Sequence, residues 1–245
     1  MNTCLHCNNQ YEGNFCPECG QKATTARLTF HQIVHDLQHV LLHLDKGVLK
    51  NLKTIWMPSL IRDYIAGKRV GFYNPIVFLL FVCGILAYVE ITFKVPIKVE
   101  TKTLGGEAYS MGYKIGKTAA AMFRDWSKYF EALMVLPLAF WSSQFFRVNT
   151  RYNLIENIYI QAFIVCNMGL IGLVFFPVLR HSTPVVAFNL YSVLLLILFN
   201  FVTFTQETNW LHRVLKSTMV VLLAYFVYIL AFVVAAFVVI KIWGL

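Results

Sequence analysis

Residues 218–240 read TMVVLLAYFVYILAFVVAAFVVI, an uninterrupted apolar run that decides the class of fold. A helix of about 20 apolar residues crosses the hydrocarbon core of a bilayer, so this run predicts a transmembrane helix. Four further apolar segments meet or approach the same criterion, at about 75–93, 132–146, 155–178 and 185–204. The sequence therefore predicts an all-α integral membrane protein with about five transmembrane helices, bundled within residues 74–245.

The composition supports this class. Of 245 residues, 58% are hydrophobic and only 13% are charged, whereas a soluble domain carries about 25% charged residues. Residues 1–30 contain no apolar run, so no cleavable signal peptide is predicted. The formal net charge of +9 favours contact with anionic lipid in a chain already at a membrane, and no nucleic-acid partner is expected.

Ahead of the apolar segments stand two CxxC pairs, eight residues apart, whose cysteines are Cys4, Cys7, Cys16 and Cys19. Each pair places two thiolates on one side of a metal, and the two pairs together complete a tetrahedral shell. The spacing predicts a zinc ribbon over residues 1–24 with a structural Zn²⁺, because a closed four-cysteine site has no open position for catalysis. Iron in a rubredoxin-like site is the alternative, although the gap is shorter than that family uses.

The thiols also indicate the orientation in the membrane. A cysteine metal site persists where thiols stay reduced, which places the N-terminus in the cytoplasm and, with five spans, the C-terminus in the periplasm. Twelve Lys and Arg residues would then lie inside and nine outside, a small margin for the positive-inside rule. The lysines of the external loop 94–130, among them Lys94, Lys98, Lys102, Lys114 and Lys117, argue against this topology. Cys83 and Cys166 stand alone in apolar runs and are interpreted as small hydrophobic residues.

Residues 25–73 are predicted to form cytoplasmic amphipathic helices beside the membrane. Thr29 and Gln32 make a capping box, and a row of histidines follows at every fourth position: His31, His35, His39 and His43. This row is either the polar face of the helix or a metal-binding or pH-sensitive stripe. Farther on, Lys46, Lys50 and Lys53 oppose Leu49, Leu52 and Trp56, which is typical of a helix in the headgroup zone. A third short helix is expected over 59–66, ended by Gly67.

Three basic residues extend this zone to the start of the first span: Arg62, Lys68 and Arg69. Each such charge contributes about 1 kcal/mol near an anionic leaflet. These residues are therefore candidates for contact with a lipid headgroup or phosphate, with simple anchoring as the alternative.

At this point the chain resembles a bacterial family of zinc-ribbon multi-pass membrane proteins, defined only as a domain of unknown function. The resemblance covers residues 1–75 and is carried by the two CxxC pairs, Leu-Asp-Lys-Gly at 44–47, and Gly-Lys-Arg-x₃-Tyr-x-Pro at 67–75. It departs in having Asn8 after Cys7, where many ribbons have Gly. The resemblance implies a ribbon, amphipathic helices and a membrane domain in the bacterial inner membrane, and it implies no known reaction.

Neutral polar residues lie within the predicted spans, among them Asn157, Gln161, Asn189 and Asn200. They can form hydrogen bonds between helices or line a substrate path. No Asp, Lys, Arg or His falls mid-span, which argues against proton-coupled carriers and intramembrane aspartyl enzymes. No nucleophile elbow, P-loop or dinucleotide motif is present.

The sequence thus predicts a non-enzymatic membrane subunit for interaction or assembly. It would have a structural zinc site and bind another membrane or cytoplasmic protein. The alternative is a small-molecule or lipid carrier that uses the Asn and Gln faces.

Overall fold

The computed structural model describes residues 2–23, 28, 47–93, 116, 118, 131–182, 185–206 and 209–243. This part of the chain is mostly helical, with a small ribbon at its start. Its elements are β1 Asn2–Thr3, β2 Gln10–Tyr11, α1 Gly47–Lys53, α2 Ser59–Ile65, α3 Pro75–Phe93, a 3₁₀ turn Glu131–Met134, α4 Val135–Phe145, α5 Arg147–Thr150, α6 Leu154–Ser182, α7 Val185–Thr203 and α8 Trp210–Trp243.

Helix α6 lies at the centre of the bundle. It packs against α2, α3, α4 and α7, while α8 packs against α4 and α7. Tyr159, Gln161, Phe163 and Asn167 of α6 are all almost inaccessible to solvent. Because both polar and apolar residues of this helix are buried, the other helices surround it.

Two of the described helices are long and apolar enough to cross a membrane: Leu154–Phe175 within α6 and Trp210–Ile242 within α8. The α6 stretch is 56% buried inside the protein, but the α8 stretch is only 22% buried. Helix α8 therefore turns most of its apolar surface outward. Shorter apolar helices occupy 75–89, 132–145 and 191–203, so the structure shows two candidate spans where the sequence predicts about five.

Among the predicted spans, 132–146 differs most from the observed secondary structure. A 3₁₀ turn precedes α4, which has only eleven residues and is therefore about 16 Å long. Pro137 falls in its first turn, where a missing N–H breaks no intrahelical bond. Helix α4 by itself is too short to cross the hydrocarbon core.

The other predicted segments begin or end close to the observed helices. The helix start predicted at residue 75 is found in the structure, because Asn74 Oδ1 accepts a hydrogen bond from Ile76 N (2.9 Å) and α3 begins at Pro75. Helix α8 begins eight residues before the predicted 218. Asn209 caps it through the N–H of Leu211 (3.0 Å), so the helix extends through the charged turn that precedes the apolar run.

The predicted end of the third short helix is also confirmed. Helix α2 stops at Ile65, and Gly67 has a φ of 101°. The N–H of Gly67 bonds to the carbonyl of Tyr64, and that of Lys68 to the carbonyl of Asp63, which is the Schellman arrangement. The capping box at Thr29, the histidine row, Lys46 and all of the loop 94–130 except residues 116 and 118 lie outside the described residues.

Candidate metal centre and polar contacts of the bundle

The four cysteine sulfurs converge on one point. Cys4 Sγ lies 3.5 Å from Cys19 Sγ, and Cys7 Sγ lies 3.6 Å from Cys16 Sγ. All four atoms lie within 4.8 Å of one another. A tetrahedral zinc with bonds of about 2.3 Å needs sulfur–sulfur edges of about 3.8 Å. These four cysteines can therefore bind a metal ion with little movement, as the sequence predicts.

Two backbone turns of the same geometry create this convergence. In each, the first cysteine's carbonyl accepts from the N–H four residues later, at Asn8 in one turn and Gly20 in the other. Both residues have positive φ, 62° at Asn8 and 74° at Gly20. Asn is among the few non-glycine residues that tolerate this conformation, which explains how this chain manages without the usual glycine.

Only one of the two aromatic residues near the cluster covers it. Tyr11 is buried beside Cys4 and Cys16, whereas Phe15 is 59% exposed and does not cover the site. The His6 backbone N–H points to Cys4 Sγ at 3.4 Å. Because the four cysteines complete a tetrahedral site, no ligand from the His6 side chain is needed.

The thiols do not ionise independently. Burial raises the pKa of Cys4, but hydrogen bonds from the backbone of Cys7 and His6 and from neighbouring thiols outweigh it and lower the pKa to about 6. The backbone N–H of Asn9 favours the Cys7 thiolate, but burial and the adjacent thiols raise the Cys7 pKa to about 12. A bound cation would favour thiolates at all four positions, so metal binding releases protons.

The three basic candidates for headgroup contact are engaged within the protein. The Arg62 guanidinium donates to the carbonyls of Val202 and Thr203 at 3.3 and 3.2 Å. It thereby caps the C-terminus of α7, where a positive charge is favourable. This tie between α2 and α7 is not visible in the sequence.

Lys68 and Arg69 contact residues of α2 that are close to them in sequence. Lys68 pairs with Asp63 at 3.1 Å, and both side chains are about two-fifths exposed, so the pair contributes little to stability. Arg69 lies over the Tyr64 ring, 5.7 Å from its centroid. Headgroup contact by these residues stays a prediction.

The polar residues of α6 each meet a different helix. Ser142 of α4 donates to Asn157 Oδ1 (3.0 Å), and Gln161 Nε2 donates to Asn200 Oδ1 of α7 (2.8 Å). Asn157, Gln161 and Asn200 are at most 1% exposed. The backbone of Asn189 lies in α7, but its side chain is outside the described residues. Three of the four predicted path residues therefore form hydrogen bonds between helices, and Gln161 and Asn200 bond to each other.

Two sets of buried hydrogen bonds were missed from the sequence. Asn51 of α1 is fully buried and bonds to both backbone groups of Tyr73: Nδ2 donates to the carbonyl (3.0 Å) and Oδ1 accepts from the N–H (3.1 Å). The Thr54 hydroxyl donates to Asn167 Oδ1 of α6 at 2.9 Å. The polar face at Asn51 and Thr54, opposite the Leu49 and Trp56 positions, was the available signal.

A cavity of about 380 Å³ opens where α2 ends and α6 begins, lined by Ile65, Ala66, Thr150, Arg151, Tyr152 and Glu156. The carboxylate of Glu156, which lines this cavity, accepts a hydrogen bond from the backbone N–H of Asn153 (Oε2 to N, 2.8 Å). In return, Asn153 Oδ1 accepts from the backbone N–H of Glu156 (2.7 Å). This reciprocal pair is a capping box that starts α6. Burial raises the pKa of the Tyr152 phenol, which bonds to Gln206.

Comparison with protein-family models, with curated protein sequences and with solved structures finds no match to this chain. The resemblance to bacterial zinc-ribbon membrane proteins is therefore carried by the motifs alone.

Proposed function

We propose that this protein is a non-enzymatic integral membrane subunit, whose N-terminal ribbon holds a structural zinc ion and docks a partner protein. The observation that carries the proposal is the closed four-sulfur cluster, with all ligand atoms within 4.8 Å. A closed cluster of this kind stabilises a small fold and leaves no coordination position for a substrate.

The ribbon also presents apolar side chains to the outside. Leu5, inside the first CxxC turn, is 46% exposed, and Phe15, just before Cys16, is 59% exposed. Metal binding would fix both residues on the turns that carry the ligands. Exposed aromatic residues on a rigid support are common anchors of protein interfaces.

The polar residues of the bundle support a scaffold more than a carrier. Gln161 and Asn200 are fully buried, and Gln161 Nε2 donates to Asn200 Oδ1, so this bond joins α6 to α7; among the described residues Gln161 Oε1 has no hydrogen-bond partner. Such contacts typically contribute about 0.6 kcal/mol to helix association. We propose that they hold α6 and α7 in register.

We place the protein in the bacterial inner membrane, with α6 and α8 crossing the bilayer and the ribbon in the cytoplasm. The support is the apolar length of α6 and α8 and the reduced thiols that a cysteine metal site requires.

The test is to isolate the protein in mild detergent from its native host at native abundance and measure its mass by native mass spectrometry. We expect one zinc per chain and a stoichiometric partner. Substituting Leu5 and Phe15 by Ala should release the partner and retain the zinc, because neither side chain is a ligand.

The matched control is the double substitution Leu222→Ala and Phe226→Ala on α8, which is exposed to a similar degree but remote in sequence from the ribbon. It should keep the partner. A zinc-loaded monomer without any partner would overturn the interaction role, and a metal-free monomer would overturn the structural site as well.

A further inference from the structure

We infer that residues 47–57, comprising α1 and the turn after it, form a wedge set in the acyl chains of the leaflet on the ribbon side. In this wedge Leu49, Trp56 and Met57 contact lipid. The inference rests on the membrane insertion proposed above. It differs from the sequence-based expectation of a helix lying flat among the headgroups.

The wedge is polar on its inner side and apolar on its outer side. Asn51 and Thr54 are fully buried against the bundle, whereas Leu49 is 67%, Trp56 84% and Met57 52% exposed. The buried Asn51 and Thr54 side chains are hydrogen-bonded, so their burial carries no large cost. In water the three apolar side chains would stay exposed, which is unfavourable, whereas contact with hydrocarbon removes that cost.

The positions of two contacts along α6 indicate the depth of the wedge in the leaflet. The Tyr64 ring stacks on the Tyr159 ring, with 5.9 Å between centroids, while the Thr54 hydroxyl bonds to Asn167. Eight residues of α6 separate these contacts, which corresponds to about 12 Å along the axis. Half of a hydrocarbon core is about 15 Å. With α2 near the headgroups, the wedge therefore reaches far into its leaflet.

Helix α3 begins too far along α6 to occupy the space that the wedge fills. The carbonyl of Pro75, where α3 starts, lies 4.0 Å from Cys166 Sγ, so α3 begins level with the middle of α6. Residues 47–74 fill the space beside the first half of α6, with Phe72 packed on Phe163. A continuous helix in that position would leave no place for the wedge.

The charges favour lipid over a second protein as the occupant. Residues 47–57 contain Lys50 and Lys53 and no acidic residue, which suits an anionic leaflet. The Lys50 ammonium is held inside by the Val70 carbonyl. Lys53 is exposed, and its long side chain can extend toward the headgroups while its stem lies along hydrocarbon.

Brominated phospholipids measure the depth of a tryptophan by quenching its fluorescence. The full chain is reconstituted in anionic vesicles in three forms, each with one tryptophan and Phe at the other native Trp positions. One keeps Trp56, one keeps Trp210 at the start of α8, and one carries only Phe226→Trp at the middle of α8. Circular dichroism of each form checks that the helices are retained.

We expect bromines at mid-chain to quench Trp56 about twofold more than bromines near the ester groups, since the wedge lies about 12 Å deep. Phe226→Trp should behave likewise, and Trp210 should show the opposite order. If Phe226→Trp is deep but Trp56 matches Trp210, the wedge is refuted and membrane insertion stands. If Phe226→Trp is not quenched, the insertion on which the wedge rests is refuted too.

A second measurement does not depend on the folding of the single-tryptophan forms. A photoreactive phenylalanine replaces Trp56 in the otherwise unchanged protein and is irradiated in native membranes. Adducts with phospholipid support the wedge. A protein adduct as the main product would replace lipid with a protein occupant and overturn it.

Discussion

Replacing Asn51 with Ala tests how residues 47–74 are anchored in the bundle. The substitution removes two hydrogen bonds to the backbone of Tyr73, at 3.0 and 3.1 Å, and Asn51 is fully buried. Each bond contributes about 1 kcal/mol, and an unpaired buried backbone group costs about 1–3 kcal/mol. We expect the free energy of unfolding to fall by about 2–4 kcal/mol.

The assay is unfolding by SDS in mixed micelles, followed by circular dichroism, on the wild type and the variant. Lys53→Ala on the same helix is the control, and as an exposed substitution it should change the free energy by less than about 0.5 kcal/mol. An Asn51→Ala variant as stable as the Lys53→Ala variant would show that α1 is not held to Tyr73 in the way described.

Three further predictions use the same preparation. Gly47→Ala should destabilise the protein by about 1–3 kcal/mol, because a Cβ there would lie 2.5 Å from a backbone nitrogen. Gly84→Ala has nothing within 4 Å and should not destabilise it. A double-mutant cycle of Gln161→Leu and Asn200→Leu should give a coupling of about 0.6 kcal/mol, up to about 1.7; zero coupling would contradict the bond between them. Cys16→Ser should abolish stoichiometric zinc, measured by elemental analysis, while the variant remains in the membrane fraction; full zinc retention would refute its role as a ligand.

Much of the local structure follows from short-range chemistry and was therefore predictable. The starting cap at Asn74 and the chain reversal at Gly67 each depend on residues a few positions apart, and the four cysteines that converge lie within one segment, with Cys4 and Cys19 fifteen positions apart. Local rules of capping, positive φ and ligand spacing act without knowledge of the rest of the fold. The mostly helical architecture, with two helices long and apolar enough to cross a membrane, follows from the length of the apolar runs.

Contacts between distant segments could not be predicted in this way. Nothing in the sequence indicated that Arg62 would lie at the end of α7, where the carbonyls of Val202 and Thr203 accept from its guanidinium. The sequence predicts an apolar face of Leu49, Leu52 and Trp56; in the structure Leu49 and Trp56 are exposed, whereas Leu52 is partly buried. The polar face at Asn51 could be seen in the sequence, but the backbone that it bonds, just ahead of α3, could not.

By itself, the sequence determined where helices form, where several of them stop, and that four thiols can share one metal, because these properties depend on neighbouring residues. Only the tertiary structure decided which helix each buried amide meets and how far along α6 the segment 47–57 is seated. The physical reason is that a buried polar group must find a partner, and that partner lies more than a hundred residues away for Thr54 and Asn167.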